Sequence, residues 1–280
     1  RVWREVLRDM SEPHPMNRLL QGDVGSGKTA IALLAAVAAA ESGFQTALMA
    51  PTELLAEQHA KSLRAMTSAN AKALGLRIGL LTASRSRAET NVVLESLAKG
   101  EIDLLIGTHA LIQERVAFKS LGLAIVDEQH RFGVLQRAAL ASASLGDAEP
   151  HVLVMTATPI PRTLALTGYG DLELSVIDEL PPGRSPTETL RMQAGDGERI
   201  MEMIRETVTR GEQVYVVYPL VEESEKLDLR SAIESSERIA SAFSDLRVDV
   251  LHGRLDAPQR DKTMSRFARG EIDILVATTV

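Results

Sequence analysis

The sequence has no cysteine, so no disulfide can staple it and no thiolate can hold a metal. That composition permits a reducing interior, and the cytoplasm is the expected compartment. Aromatic residues make up only 3% of the chain, too few for a row of base-stacking platforms. Basic excess is missing too, because the formal net charge is −7. This disfavours indiscriminate binding to nucleic acid, although a local basic groove can coexist with an acidic total. Any nucleic-acid contact is therefore expected to run to the backbone. The longest apolar run, residues 30–40, falls short of the about 20 residues that a membrane span requires. No membrane partner is expected, and the charged opening RVWREVLRDM has no leader pattern.

What the chain has instead is alternation. Short Leu-rich or β-branched runs (RLLQG, TALMAP, IGLLTA, DLLIGTH, LAIVDE, HVLVMTAT) are interleaved with helical patterns at 28–42 and 53–73. Strands apolar on both faces, alternating with helices, predict an α/β fold with a parallel sheet covered by helices. Pro181, Pro182, Gly183 and Pro186 in DELPPGRSPTET, 178–189, forbid regular structure and read as an interdomain connector. The expected division is a first lobe at 1–180, a linker at 181–190 and a second lobe at 191–280. In the second lobe a helix at 197–210 carries Ile200, Met203, Ile204 and Val208 on one face. The strand QVYVVYPLV, a helix near 230–244, the strand VDVLHG, a helix opened by Asp256 and Gln259 at capping-box spacing, and the strand IDILVATT follow. This lobe reads as repeating the architecture of the first without its sequence, and as truncated. The first residue is Arg and the last apolar run lacks a turn signal, so both ends read as cut.

GDVGSGKT, 22–29, matches GxxxxGK[ST], a pattern expected by accident in roughly one chain in a hundred of this length. It follows a strand run and opens an apolar helix, the setting the motif requires. Gly22, Asp23, Val24, Gly25, Ser26 and Gly27 form a loop whose backbone N–H groups can face phosphate. Lys28 is expected to reach the β and γ phosphates of ATP, and the Thr29 hydroxyl to ligate Mg2+. A plain Gly/Ser turn is the bland alternative. AIVDEQH, 124–130, delivers two adjacent carboxylates at a strand end, the edge where ligands bind in parallel sheets. Asp127 is the candidate magnesium ligand and Glu128 the group that polarises the attacking water; two solvated acids are the alternative. Chemistry alone favours a structural role for His130, and the other histidines lack metal-ligand spacing to one another. MTATPIPRT, by composition, is a turn stiffened by Pro159 and Pro161.

GDVGSGKT, PTELLAEQH, GTHALIQ, DEQHRFG, TATPIPRT and LHGRL stand in the order seen in the superfamily-two helicases, and the resemblance covers essentially the whole chain. It implies two RecA-like lobes of the P-loop NTPase class. It also implies an ATP-dependent DNA helicase or translocase acting on branched DNA (replication forks, Holliday junctions) in recombination and repair. Pro51, Thr52 and Glu53, with Gly107, Thr108 and His109, match segments that touch the nucleic-acid backbone, as do His252 and Gly253 in the second lobe. Gln129, His130, Thr156, Ala157 and Thr158 match elements that couple nucleotide state to lobe closure. A transcription-repair coupling translocase shares much of this text and stands as an alternative; a phosphate-loop kinase and a nucleotide-binding module without turnover are the others. Three family segments are missing from the sequence: a wedge region, a glutamine motif and the arginine-bearing motif six. Such an arginine is worth about a thousandfold or more in related phosphoryl transfer, so the 280 residues alone are expected to turn over ATP poorly.

Overall fold

Chain packing divides the protein into two units, Arg1–Pro186 and Thr187–Val280. The computed structural model describes residues 1–69, 75–113, 115–128, 149–158, 172–179, 187–193, 195–218, 237–252 and 255–278.

Unit 1 is built on seven parallel strands: β1 (Asn17–Gly22), β2 (Gln45–Met49), β3 (Ile78–Leu81), β4 (Leu104–Gly107), β5 (Leu121–Asp127), β6 (His151–Thr156) and β7 (Glu173–Ile177). Their order across the sheet is β3-β4-β2-β5-β6-β1-β7. Side chains alternate between the two faces, as the pleat demands. Leu48, Leu104, Ile106, Leu123 and Ile125 enter one core, while Ala47, Met49, Leu105, Ala124 and Val126 enter the other. This two-sided burial explains why the strands read as continuous apolar runs. The first core is covered by α1 (Val2–Met10), α2 (Lys28–Glu41) and α3 (Glu53–Ala69), the second by α4 (Arg87–Lys99) and a short 3-10 turn at His109–Ile112. Half of helix α2 is alanine. Ala32, Ala35, Ala36 and Ala39 are buried, and side chains this small let the helix lie close to the sheet without loss of helix propensity.

Two elements carried little sequence signal. Helix α1 occupies the charged opening segment, yet Val2, Val6 and Met10 recur at four-residue spacing and Val2 and Val6 are buried in the first core. Strand β7 pairs with β1 and is largely polar or half exposed. It is tied in by Arg18, only 3% exposed, which donates to Asp9 at 2.6 Å and to Ser175 at 2.8 Å and also pairs with Glu173.

Unit 2 contains three parallel strands, β8 (Val214–Tyr218), β9 (Val248–Leu251) and β10 (Ile274–Thr278), in the order β8-β10-β9. Helices α5 (Gly197–Thr209) and α6 (Ala257–Ala268) and a helical segment at 237–242 accompany them. The expected apolar face of α5 is narrower than the periodicity suggests. Ile204 and Val208 pack into the core with Met201, whereas Ile200 and Met203 are exposed.

The expectation that the second lobe lacks the first lobe's sequence is corrected by the structure. KGEIDLLIGT, 99–108, has a counterpart in RGEIDILVAT, 269–278, and the two segments make the same hydrogen bonds. Asp103 accepts from Arg77 N–H and Nε at 2.8 and 2.9 Å; Asp273 accepts from Arg247 N–H and Nε at 2.8 and 3.0 Å. Gln45 Nε2 donates to the carbonyls of Leu97 and Ile102, and Gln213 Nε2 donates to those of Phe267 and Ile272. Both helices end at a left-handed glycine, Gly100 (φ 77°) and Gly270 (φ 72°), which a residue with a Cβ would strain. Strands β8-β10-β9 thus reproduce β2-β4-β3. The kinship escapes a linear reading because the matched residues are separated by a whole lobe.

Candidate functional site

In a parallel sheet every strand ends on the same edge, and the predicted site residues collect there. From one flank of that edge to the other come Gly107–Thr108–His109 after β4, Pro51–Thr52–Glu53 after β2, Asp127 and Glu128 on β5, Thr156–Ala157–Thr158 on β6, and the loop Gly22–Thr29 after β1. Adjacent strands lie about 4.8 Å apart, so the loop and the acids are two spacings from each other, with the Thr156–Thr158 turn between them. Gln129, His130 and Gly253 lie outside the described residues, as does 181–186 of the expected linker.

The loop's glycines are used differently. Gly25 (φ 81°) and Gly27 (φ 96°) hold left-handed conformations, whereas Gly22 is fixed by space: a Cβ there would stand 2.6 Å from Ser26 Oγ. That Ser26 hydroxyl is buried and has no hydrogen-bond partner among the described residues. Lys28 Nζ folds back onto the loop, donating to the carbonyls of Gly22 at 2.8 Å and Asp23 at 2.9 Å. Burial pulls its pKa below the ordinary lysine value, against an upward pull from Asp127, Glu128 and Asp23. Lysine and acid pair therefore share one electrostatic site.

Asp127 is largely buried at the end of β5, and His59 Nε2 on α3 stands 2.6 Å from its Oδ2. Glu128, next in the chain, has φ 53° and is the only non-glycine among the described residues in the left-handed region. Its N–H donates to the Met155 carbonyl at 3.0 Å. This conformation costs on the order of 1 kcal/mol or more, and strain of this kind concentrates at functional sites. On β6, the Thr156 hydroxyl lies 2.9 Å from that of Thr158 and accepts from Thr158 N–H at 3.2 Å, closing a tight turn.

The donor set suits a hard, oxygen-seeking cation. Thr29 offers a hydroxyl in the first turn of α2 and Asp127 a carboxylate two strands away. The partnerless Ser26 hydroxyl and the glycine-lined loop at the start of α2 suit a phosphate.

The tips of β2 and β4 form one surface, since Ala50 N–H donates to the Gly107 carbonyl at 2.8 Å. Gly107 has no room for a side chain, because a Cβ would meet the Leu81 carbonyl at 2.5 Å. Thr52 Oγ1 accepts from Leu55 N–H at 3.3 Å at the start of α3, and Glu53 accepts from Ala83 N–H at 2.9 Å. In unit 2, His252 follows β9, with a buried Nδ1 that has no partner among the described residues.

Residues 2–167 match the family model for DEAD/DEAH box helicases, and residues 197–280 match the helicase conserved C-terminal domain. The chain belongs to the DEAD/DEAH box helicase family. The chain is 50% identical to the ATP-dependent DNA helicase RecG of Synechocystis sp. over 100% of its own length and 33% of the relative's. With the RecG of Escherichia coli O157:H7 it shares 47% identity over 100% of its own length and 40% of that protein. It thus spans 33% to 40% of the curated relatives it matches. A solved structure of RecG bound to a three-way DNA junction superposes with a TM-score of 0.74 at 42% identity, covering 99% of the helicase and 35% of that chain.

His59 is the residue that motif reading missed. It carried no metal-ligand spacing, and its partner is 68 positions away. The signal available was its place at the end of PTELLAEQH in α3, which starts after β2 and packs on β3 and β4. No described helix of the protein is long and apolar enough to cross a membrane.

Proposed function

We propose that this chain is the ATP-hydrolysing part of a DNA helicase or translocase that acts on branched DNA in recombination and repair, working in the cytoplasm. The observation that carries the reading is the placement of the Gly22–Thr29 loop and the Asp127–Glu128 pair two strands apart on one sheet edge, with the tips of β2 and β4 on the next strands of that edge. The similarity to RecG helicases, one of them solved on a three-way junction, supplies the substrate class.

In this reading the backbone N–H groups of residues 22–29 and the N-terminus of α2 hold the ATP phosphates, and Lys28 leaves its two carbonyl partners to reach the β and γ phosphates. Thr29 and Asp127 would hold Mg2+, which neutralises charge on the phosphates when bound. Glu128 orients and polarises the attacking water. Gln129, His130 and Thr156–Thr158 relay the nucleotide state into lobe closure, between lobes at 1–180 and 191–280 joined by 181–190. Pro51–Glu53, Gly107–His109, His252 and Gly253 contact the DNA backbone, which needs only amides, hydroxyls and short loops. That requirement is compatible with an acidic chain with few aromatics. The test is ATP turnover by the full-length protein with and without a synthetic junction. A clear rise on adding DNA is expected, and an unchanged rate removes the motor reading.

A further inference from the structure

The hydrogen bond between His59 and Asp127 joins the last residue of PTELLAEQH to the acid pair, and none of the roles above uses it. It is short, 2.6 Å, and both side chains are mostly withdrawn from solvent, at 13% and 11% exposed. An ionised carboxylate only accepts, so the imidazole donates from Nε2. One Asp127 oxygen is thereby fixed, and the other remains to meet a cation.

The pair also joins two distant parts of the edge. Helix α3 begins at Glu53, within the turn proposed to touch DNA, and reaches His59 after about 9 Å at 1.5 Å per residue. The intervening helix is held at both ends and along one side. Thr52 and Glu53 pin its start, through Leu55 N–H and Ala83 N–H, and Ala56, Ala60 and Leu63 are packed into the first core. A helix clamped in a close-packed core shifts as one body, so movement at its first turn is delivered to His59.

We propose that His59 is a positioning residue that orients Asp127 for magnesium and, through α3, makes that orientation respond to DNA bound at Pro51–Glu53. The proposal rests on the ATP-driven reading above and names the route by which DNA occupancy reaches the nucleotide. Hydrogen bonds of this outer kind typically change metal affinity or activity 10–100-fold.

The test compares full-length wild type, His59→Ala and His59→Gln, the last keeping an Nε2 donor. Binding of a fluorescent ATP analogue is titrated with Mg2+, and turnover is measured with and without a DNA junction. For His59→Ala the Mg2+ midpoint is expected to rise about 10–100-fold while analogue binding in EDTA stays unchanged. Stimulation by DNA should shrink about tenfold, and His59→Gln should recover both to within about threefold of wild type. A residue that merely supports the fold would lower the melting temperature without moving the Mg2+ midpoint. A wild-type midpoint in folded His59→Ala, or no recovery by His59→Gln at equal thermal stability, overturns the proposal. A wild-type protein whose turnover ignores DNA fails the functional reading, and the coupling with it, before any variant is compared.

Discussion

Strands β2-β4-β3 and β8-β10-β9 are two builds of one scaffold, each with an Arg–Asp clamp and a glutamine bridging a helix end to a strand start. Their surroundings differ. Gln45 is 5% exposed and its Oε1 also accepts from Ser120 N–H at 3.1 Å, just before β5, whereas Gln213 is exposed. In unit 1 the repeated half-sheet continues into β5, β6, β1 and β7, and the phosphate loop and the acid pair sit on those added strands. Among its described residues, unit 2 has no counterpart of either. The scaffold is common to both units, and the proposed nucleotide chemistry belongs to the strands beside it in unit 1.

The sharpest way to break this division is at Lys28. With the nucleotide chemistry confined to the added strands, Lys28→Ala should lower ATP turnover of the full-length protein by about a thousandfold, as loss of a charge-stabilising donor does. A change of less than about tenfold would place the chemistry elsewhere.

Next in size is Arg18, which ties β1 to α1 and β7 and has no counterpart in the repeat. Arg18→Leu leaves Asp9 with only the exposed Arg8 as its cation and Glu173 without Arg18, and should cost about 3 kcal/mol of unit 1 stability, read by chemical denaturation. Unit 2 should be unaffected, because the network lies wholly in unit 1.

The two glutamines compare the copies directly. Gln45→Ala removes three hydrogen bonds and strands buried carbonyls, for an expected loss of about 2–4 kcal/mol. For the exposed Gln213→Ala about 1 kcal/mol or less is expected. Equal losses would mean that burial does not distinguish the copies.

The smallest effect is pH dependence at His151, also on an added strand. Burial holds its pKa below the ordinary 6.5, against an upward pull from Asp9, and its Nδ1 accepts from Met16 N–H at 2.8 Å. The unfolded chain binds a proton at a higher pH than the native one, so this contribution is present above pH 6.5 and is lost as pH falls through the native pKa. Thermal melts should show that decline, and His151→Asn should flatten it.

Much of this organisation was legible in the sequence. Continuous apolar runs ending in glycine, threonine or acid announce parallel strands, and strand-end spacing put the loop, the acids and the two tips on one edge. Four features were not read from it, each for a physical reason. Helix α1 is only nine residues long, four of them charged, and its buried stripe is only Val2 and Val6. Strand β7 is only five residues long and mostly half exposed, and polar contacts to Arg18 reinforce the packing of Leu174 and Ile177. The His59–Asp127 bond and the internal repeat join residues far apart along the chain, which no local periodicity reports.

The central claim, that Glu128 acts on water at a nucleotide held by the Gly22–Thr29 loop, is tested most directly by Glu128→Gln in the full-length protein. Equilibrium binding of ATP and single-turnover hydrolysis would be measured side by side. Wild-type affinity with hydrolysis lowered about 10²–10⁴-fold is the expected pair of results. Hydrolysis persisting at the wild-type rate would contradict it.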